Sequence, residues 1–307
     1  MAPKISIVVP IYSVEQYIEK CAASILEQTW PDTEFIFVND GTPDRSMEIL
    51  RTLVGSRYKH LESRIQLIDQ PNGGAPAARR NGVEHSTGDY IFFVDSDDWI
   101  ETDAAESIAL CARETDADLI YFGFFKEKKR KTVVRCDRDF SKAGKMEFIK
   151  ALYTGKTYGY NVIKCFRRSL YLHEPFYWPR KWMLDDRFLV TQLLFFSRSM
   201  TRLEKPLYHY RRDNPNAVTR QKRALKRLDA SINMMDLYLH YRDSLADSPI
   251  QDVYGNILYY CAWNALRYNL PLFEIYPQLR ADVKRLPVSR KNIYPIYKQL
   301  WVRFRLR

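Results

Sequence analysis

The first 120 residues alternate short apolar runs with amphipathic segments, and this alternation limits the folds open to the chain. The apolar runs have the length of strands buried on both faces, and the segments between them carry apolar residues at helical spacing. The clearest runs are residues 5–10, 34–38, 66–68 and 90–94. The pattern predicts an α/β fold, with a mostly parallel sheet flanked by helices and ligands bound beyond the carboxyl ends of the strands.

Polar motifs predict where two helices begin between these runs. Ser13 and Gln16 have the spacing of a capping box. Pro43 follows Thr42, as a proline just inside a helix start would. A third helix is predicted around residues 77–84.

The remainder of the chain has a different character. The basic stretch 126–138 predicts a solvated hairpin or loop, and residues 145–219 mix helical with irregular aromatic segments. Residues 221–269 have the spacing of long helices with one apolar face. We therefore expect an α/β domain over residues 1–220, followed by a helical, basic C-terminal region over residues 221–307.

Charge is distributed unevenly along the chain. Residues 1–120 carry 10 Lys and Arg against 21 Asp and Glu, and residues 121–307 carry 38 against 16, so the two parts have formal charges of −11 and +22. An acidic half can hold a metal ion, and a basic half can face phosphate, nucleic acid or an anionic membrane. Composition does not choose among these partners.

The sequence lacks the marks of a membrane-spanning or exported chain. No apolar run approaches the roughly 20 residues that a spanning helix needs. The segment 5–10 is too short for a signal peptide, and no small-residue cleavage site follows it. The five cysteines are widely separated and contain no C-x-x-C pair, so we expect free thiols in a reducing cytoplasm.

Several motifs, taken in order, resemble those of the family 2 glycosyltransferases. The matching segments are 6–12 (SIVVPIY), 39–44 (NDGTPD), 72–79 (NGGAPAAR), 95–97 (DSD) and 185–186 (DD). Arg80 departs from the pattern, because the family usually has Asn there. Each motif is weak alone, whereas their order and spacing over roughly residues 4–220 are specific.

The resemblance implies a GT-A (Rossmann-like) fold with a helical basic C-terminal extension. It implies an inverting, metal-dependent hexosyltransferase that moves a sugar from a UDP-sugar to a hydroxyl of a glycan or lipid-linked saccharide, in surface polysaccharide synthesis. Residues 1–120 would bind the nucleotide sugar and residues 121–220 would form the acceptor side. The implied cofactor is a divalent cation, Mn²⁺ or Mg²⁺.

The resemblance also implies a uridine site beside Pro10 and Tyr12. Asp40, at the end of the second predicted strand, can accept the N3 hydrogen of uracil. Arg79 can contact base or phosphate as a planar cationic fork. The plainer alternatives are that Asp40 forms a turn ahead of Gly41 and that Arg79 is a surface residue of its helix.

The fourth apolar run ends directly in the acidic segment Asp95-Ser96-Asp97-Asp98. Residues two apart on an extended strand end project to the same side, so Asp95 and Asp97 can share a ribose and a divalent cation. We assign Asp95 mainly to the ribose and Asp97 to the metal, which would neutralise charge on the departing diphosphate. Capping of the following helix is the alternative.

An inverting transfer needs a base for the proton of the acceptor hydroxyl, and a carboxylate is the usual agent. By resemblance to the family's E-D motif, Asp186 is the candidate base, and Asp185 stands where Glu is usual. Two acids at a helix start are also what the helix dipole favours, so a purely structural role is the alternative.

The segment 208–212 is a candidate flap over the donor, from which His209 or Arg211 could reach diphosphate or metal. His209 is excluded from the predicted site, because a lone histidine is more often packed or exposed than a ligand.

The last 24 residues, 284–307, hold eight Lys or Arg and no acid. They could lie on an anionic membrane, where each basic residue contributes about 1 kcal/mol to the binding free energy. Trp301 and Phe304 could then lie at the membrane interface. The alternative is a solvated terminus.

Two other functions fit parts of the sequence. The charge of +22 on residues 121–307 favours a non-catalytic basic peripheral protein that binds an anionic membrane or nucleic acid. Such a binder does not need the acidic site residues, and the basic half lacks the pattern of an RNA-binding sheet, so no nucleic-acid partner is expected. Sugar-nucleotide synthesis predicts a G-x-G-T-R-like loop after Pro10, which the sequence does not contain.

Overall fold

The chain forms two compact units. The structure, a computed structural model, describes residues 2–174, 176–181, 183–214, 223–242, 251–286 and 296–306. The first unit comprises Met1–Lys142, Tyr160–Trp178 and Gln192–Pro215, and the second comprises Ala143–Gly159, Pro179–Thr191 and Asn216–Arg307. The predicted domain boundary at residue 220 lies outside the described residues.

The strands described in the first unit pair into one sheet. They are β1 (Ile5–Ile11), β2 (Thr33–Asp40), β3 (Ile65–Gln70), β4 (Tyr90–Phe93), β5 (Trp99–Ile100), β6 (Leu119–Lys128), β7 (Lys131–Arg135), β8 (Lys164–Arg167) and β9 (Met200–Arg211). Their order across the sheet is β3-β2-β1-β4-β8-β6-β9-β5, with β7 paired to β6. Strands β1 to β4, β6 and β9 share one direction, and β5, β7 and β8 run opposite to it. The predicted mostly parallel sheet is confirmed, and the basic stretch after residue 125 contains the hairpin of β6 and β7.

Strand β1 lies at the centre of the parallel part of the sheet. It pairs with β2 on one side and with β4 on the other. Ile7 and Val8 point to opposite faces and are both fully inaccessible to solvent. An apolar run without alternation, as the sequence shows here, is what a strand covered on both faces requires.

The α-helices that the structure describes wholly within the first unit are α1 (Ile18–Leu26), α2 (Ser46–Ser56), α3 (Ala75–His85) and α4 (Ala104–Thr115). Short 3-10 helices span Lys59–Arg64, Asn161–Ile163 and Arg168–Leu170. The predicted capping box at Ser13 is wrong, because Ser13 has a φ of +53° and α1 begins five residues later. The predicted start at Pro43 is also wrong, since α2 begins at Ser46. The reason is that the polar groups of these two loops bond to each other, as described below for the site.

The helices that begin in the second unit are α5 (Lys145–Thr154), α6 (Asp185–Phe196), α7 (Arg223–Tyr241), α8 (Gln251–Tyr268), α9 (Leu272–Ile275), α10 (Leu279–Arg285) and α11 (Ile296–Arg305). Helix α8 packs against α7, α10 and α11. The described parts of residues 221–307 are mainly helical, as predicted, and the bounds of this region as a separate domain stay a prediction. No described helix is both long and apolar enough to cross a membrane. The five cysteines are free thiols, as predicted.

Helix α3 approaches β1 and β2 closely at Gly82. A Cβ atom on Gly82 would lie 2.3 Å from Cγ1 of Val8 and 3.4 Å from Cγ2 of Val38. Both valines belong to the buried sheet, so neither can move aside without disturbing its packing. The glycine therefore sets the distance between this helix and the two strands that lead to the site.

We expect Gly82→Ala to lower the free energy of unfolding by about 1–3 kcal/mol, because the added methyl group overpacks a rigid surface. Gly55→Ala is the matched control. Gly55 lies near the end of α2 with nothing within 4 Å of its ideal Cβ position, and alanine there should be neutral or stabilise by up to roughly 1 kcal/mol. Urea denaturation of both variants measures the difference. Equal midpoints would show that α3 can shift at no cost.

Candidate functional site

The ends of β1, β2 and β4 bring predicted site residues to one edge of the sheet. Because β1 pairs in parallel with both neighbours, their carboxyl ends lie side by side. Tyr12 follows β1 with 47% of its surface exposed. Asp40 ends β2, and Asp95 comes two residues after β4. The chain leaves β1 toward β2 on one side and leaves β4 toward strands on the other, which is where open α/β sheets bind ligands.

The carboxylate of Asp40 holds the loop that precedes α3. Its Oδ1 accepts hydrogen bonds from the Gly73 N–H (2.7 Å) and from Nε2 of Gln70 (2.8 Å), and its Oδ2 accepts one from the Gly74 N–H (2.8 Å). Asp40 is only 3% exposed. A carboxylate offers about four acceptor positions, and these three bonds leave one position on Oδ2 unused. Its contact with a base stays a prediction.

Glycine permits this loop to come close to β2. Gly41 has a φ of +64°, and a Cβ atom there would lie 2.9 Å from the backbone nitrogen of Asn72. Gly74 has a φ of +83° at the start of α3. Both positions are in the left-handed region that favours glycine. The backbone conformation therefore fixes where the first turn of α3 begins.

Asp44 ties the loop after β1 to the loop after β2. Its Oδ1 accepts from the hydroxyls of Thr42 and Ser46, each at 2.6 Å, and its Oδ2 accepts from the Glu15 N–H at 2.9 Å. Burial raises the pKa of Asp44, but hydrogen bonds from Ser46 and Thr42 outweigh it, and the pKa is lowered overall. Ser13 also donates its N–H to Thr42 (2.8 Å). These cross-loop bonds occupy the Ser13 N–H and the Thr42 hydroxyl, which the predicted caps would have used.

Arg79 and Asp95 form an ion pair beneath this edge. Nη2 of Arg79 donates to Oδ1 of Asp95 at 2.8 Å, and the guanidinium lies 5.8 Å from the ring centroid of Phe93. Arg79 is 5% exposed. The alternative of a surface arginine on α3 is therefore wrong, and two predicted site residues are in direct contact.

The side chain of Asp97 is held from the segment after β9. Its Oδ2 accepts from Nδ2 of Asn214 at 2.7 Å, and its backbone carbonyl accepts from Nε of Arg211 at 2.7 Å. Burial raises the pKa of Asp97, and the nearby Asp95 carboxylate raises it further. Two carboxylates that repel one another are a favourable place for a cation.

A divalent cation fits this pair only with help from a ligand. Among the described residues, no group of three or more His, Cys, Asp or Glu side chains is arranged to hold a metal ion. Mg²⁺ in nucleotide sites is usually bound through one or two carboxylates plus substrate phosphates, with waters completing the octahedron. Asp97 and Asp95 supply that number of carboxylates, so their chemistry fits a metal that arrives with a diphosphate.

Asp98 joins the acidic turn, defined as residues 95–98, to strand β9. No role for Asp98 was predicted from the sequence. Asp98 is 2% exposed and accepts hydrogen bonds from the Tyr208 hydroxyl (2.6 Å) and the Arg211 N–H (2.7 Å). Burial raises its pKa well above the usual range, and Asp97 and Asp95 add to this. Helix α4 begins at Ala104, so the alternative that Ser96, Asp97 and Asp98 merely cap the following helix is wrong.

His209 is a packed residue of β9. Its ring is stacked between Trp99 and Phe125, with centroid distances of 4.9 and 4.4 Å. Nδ1 lies 2.8 Å from Glu127 and Nε2 lies 2.6 Å from Glu101. The predicted flap at 208–212 is instead mostly sheet, because β9 continues to Arg211.

Two cations lie beside the acidic turn. The guanidinium of Arg211 is 4.8 Å from the Tyr17 ring centroid and 5.0 Å from that of Trp99. Nζ of Lys20 lies 3.1 Å from the Trp99 ring centroid, and its pKa is lowered by burial and by Arg211. No periodic sequence pattern marks this grouping, because Lys20 and Arg211 come from opposite ends of the first unit's sequence.

Asp186 belongs to the second unit. It is the second residue of α6, as the predicted helix start requires, and is partly buried. Leu184 precedes the helix with a φ of +60°, and its carbonyl accepts the first helical hydrogen bond, from the Phe188 N–H at 3.0 Å. Asp185 is 7% exposed. The catalytic role of Asp186 stays a prediction.

Comparison with known protein families identifies the class. The family model described as Glycosyl transferase family 2 matches residues 6–177, more than half of the chain. The chain belongs to the family 2 glycosyltransferases. The resemblance drawn from the sequence motifs is therefore confirmed.

Curated relatives of this chain are also glycosyltransferases or polysaccharide synthases by name. The chain is 35% identical over 231 residues to the putative glycosyltransferase EpsH of Bacillus subtilis (strain 168), covering 73% of this chain and 65% of EpsH. It is 33% identical over 144 residues to the chondroitin synthase of Pasteurella multocida (strain Pm70), covering 47% of this chain and 13% of the synthase. The matched region thus spans less than two thirds of either relative.

Solved structures match 98% of the chain. TarS 1-349 of S. aureus in complex with UDP-GlcNAc superposes with a TM-score of 0.62 at 17% identity, covering 98% of this chain and 91% of that one. The mannosyltransferase PcManGT of Pyrobaculum calidifontis, in complex with GDP-Man and Mn²⁺, superposes with a TM-score of 0.54 at 14% identity, covering 98% and 85%. At these identities the likeness establishes the fold, and the predicted GT-A fold is confirmed.

Proposed function

We propose that the protein is an inverting glycosyltransferase that moves a hexosyl group from a UDP-sugar to a hydroxyl of a glycan or lipid-linked saccharide, in surface polysaccharide synthesis. The observation that carries this proposal is the cluster of Arg79, Asp95 and Asp97 at the carboxyl edge of the sheet, next to the loop that Asp40 holds. The similarity to a chondroitin synthase supports a polysaccharide product. The fold shared with TarS, solved with UDP-GlcNAc, supports a UDP-sugar donor.

The uracil base is assigned to Tyr12, Pro10 and Asp40. An exposed aromatic ring offers a flat face on which a base can stack, and Tyr12 is exposed at the end of β1. The remaining acceptor position of Asp40 suits the N3–H of uracil, which is a hydrogen-bond donor. The bonds that Asp40 makes to Gly73 and Gly74 hold its carboxylate in place before the nucleotide arrives.

The ribose and diphosphate are assigned to the acidic turn. The Arg79 bond to Oδ1 of Asp95 leaves Oδ2 for ribose hydroxyls, and Arg79 adds positive charge near the nucleotide. Asp97 would hold the divalent cation, which when bound neutralises charge on the departing diphosphate. Arg211 and Lys20 provide fixed positive charge for the same phosphates.

The base is assigned to Asp186. In the transfer, the acceptor oxygen attacks the anomeric carbon, the bond from that carbon to the diphosphate oxygen breaks, and UDP leaves. Asp186 takes the proton that the acceptor hydroxyl loses. The assignment rests on the resemblance of Asp185-Asp186 to the family's E-D motif, with Asp185 in the preceding position.

Asp97→Ala tests the donor site. The protein is incubated with a panel of UDP-sugars and Mn²⁺ or Mg²⁺, and UDP release is followed. We expect release from at least one UDP-sugar, and a fall of roughly 100-fold or more in the variant, because an electrostatic group acting on the leaving diphosphate is lost. Asp32→Ala, an exposed acid before β2, is the control and should keep full turnover. If no nucleotide sugar binds or turns over, with or without a lipid-linked acceptor, the enzymatic proposal fails and a non-catalytic binder becomes the better account.

Asp186→Asn separates chemistry from donor binding. We expect UDP-sugar affinity, measured by calorimetry, to change by no more than about 2-fold, while turnover falls by roughly 100-fold or more because the base is lost. Glu274→Gln, an exposed acid of the second unit, is the control. Unchanged turnover in Asp186→Asn would move the base to another residue.

We also propose that α11 rests on the anionic inner face of the cell membrane. Leu300 and Phe304 are 54% and 69% exposed and lie one helical turn apart. Trp301 packs against Trp263 at a centroid distance of 4.6 Å, so it is not assigned to the membrane as the sequence predicted. The side chains assigned to the membrane are Leu300 and Phe304. Arg305 is exposed next to this pair. Apolar side chains flanked by cations suit the surface of an anionic bilayer.

Vesicle sedimentation tests this surface. The protein should pellet with vesicles that contain phosphatidylglycerol, and less with phosphatidylcholine vesicles or at high salt, because the attraction is partly electrostatic. Leu300→Ser with Phe304→Ser should weaken pelleting by about 10-fold or more, since roughly 1.5–3 kcal/mol is associated with burying each large apolar side chain. Ile275→Ser, at a residue 45% exposed in α9, is the control. Equal pelleting of all variants would refute this assignment of the surface.

A further inference from the structure

A single buried side chain of α7 holds the backbone that precedes Asp185 and Asp186, the two acids at the start of α6. Asn233 is completely inaccessible to solvent. Its Oδ1 accepts from the Lys181 N–H at 3.0 Å, and its Nδ2 donates to the carbonyls of Lys181 (2.5 Å) and Met183 (3.0 Å). Both ends of the amide are thus bonded to the chain immediately before Leu184. No sequence motif marks this residue.

A second contact from the same face of α7 supports the first. Residues three apart on a helix are neighbours, and Asp236 follows Asn233 at this spacing. Arg180 donates to both oxygens of Asp236, at 2.7 and 2.8 Å, and the Tyr276 hydroxyl donates to Oδ1 at 2.6 Å. A bidentate pair of this kind fixes orientation as well as distance. Helix α7 therefore holds the segment at two successive points.

The segment enters α6 through an unfavourable backbone conformation. Leu184 has a φ of +60°, a region that a leucine rarely adopts. Such a conformation persists only where the surroundings enforce it. Here the Asn233 bonds fix the chain before Leu184, and the helical bond from Phe188 fixes it after. The backbone conformation at Leu184 therefore sets the orientation of the first residues of α6.

We propose that Asn233 is a positioning residue for Asp186. It bonds the backbone before Leu184 and so fixes the point from which the Asp186 side chain projects. The inference rests on the proposed function, in which Asp186 is the base. It gives the C-terminal helical region, which lies beyond the matched residues 6–177, a part in the chemistry. Neither Ala nor Asp can replace the amide, because Ala makes no bond and Asp places an oxygen against two carbonyls.

Asn233→Ala tests the proposal in the full chain, with UDP release from UDP-N-acetylglucosamine, or from whichever UDP-sugar of the panel turns over fastest. We expect kcat to fall by roughly 10- to 100-fold with the donor KM changed by no more than about 2-fold, since small misplacements of a reacting group have effects of this size. A fall confined to kcat is the signature of a displaced base.

Asn264→Ala is the matched control. Asn264 is an asparagine of α8 in the same unit and is equally inaccessible, but its bonds go to Ser231 (3.3 Å), Arg227 (2.9 Å) and Tyr260, all on α7 and α8. Loss of a buried amide should destabilise both variants alike, so only kcat should separate them. If both lower kcat equally, or if Asn233→Ala keeps wild-type kcat, the positioning role is refuted.

Two further variants keep the test decisive. If Asn233→Ala does not fold, Arg180→Ala removes the second contact at a side chain 57% exposed, and should lower kcat in the same direction by a few fold; no change in kcat would refute the proposal. In an Asp186→Asn background, Asn233→Ala should cause no further loss, because the residue acts through Asp186. An additional loss there would show a general structural role. Full turnover in Asp186→Asn alone would instead overturn the proposed base, whatever Asn233→Ala does.

Discussion

The parallel pairing of β1 with both β2 and β4 is the constraint on which the first unit depends. It brings three strand ends to one edge, and Tyr12, Asp40 and Asp95 with them. Close packing of Gly82 against the same sheet fixes the height of α3, which carries Arg79 to Asp95. The site is thus a consequence of strand direction and helix approach, and its residues need not be close in sequence.

Acidic residues at this edge divide into two groups by what their oxygens contact. Asp44 and Asp98 are fully engaged in joining loops or strands: Asp44 joins the loops after β1 and β2, and Asp98 joins the acidic turn to β9. Asp95 and Asp97 each have one oxygen bonded to a cationic or amide side chain. The first group makes the second possible, because a carboxylate can bind a ligand reproducibly only if its backbone is held.

Local sequence pattern was sufficient to predict the central strands of the sheet, and it was insufficient wherever an interaction partner lies far along the chain. The runs at 5–10 and 90–94 correspond to β1 and β4 because burial on both faces leaves a direct mark in composition. The prediction of a capping box at Ser13 was wrong because the Ser13 N–H bonds to Thr42, which lies about 30 residues away. Asp98 was missed since its partners come from β9, and Asn233 since its bonds go to backbone groups, which leave no trace in residue type.

The hydrogen bonds between Asp40 and the loop before α3 determine which positions of that loop can be substituted. The bonds of Asp40 to the glycine loop go to backbone N–H groups, which every residue except proline possesses. Once Gly73 and Gly74 are kept for their close contact and backbone shape, the loop remains tethered whatever side chains follow it. Ala75, the next position, is therefore a natural place to reshape the surface of the proposed donor site, because the framework and the variable part of the loop are chemically separate.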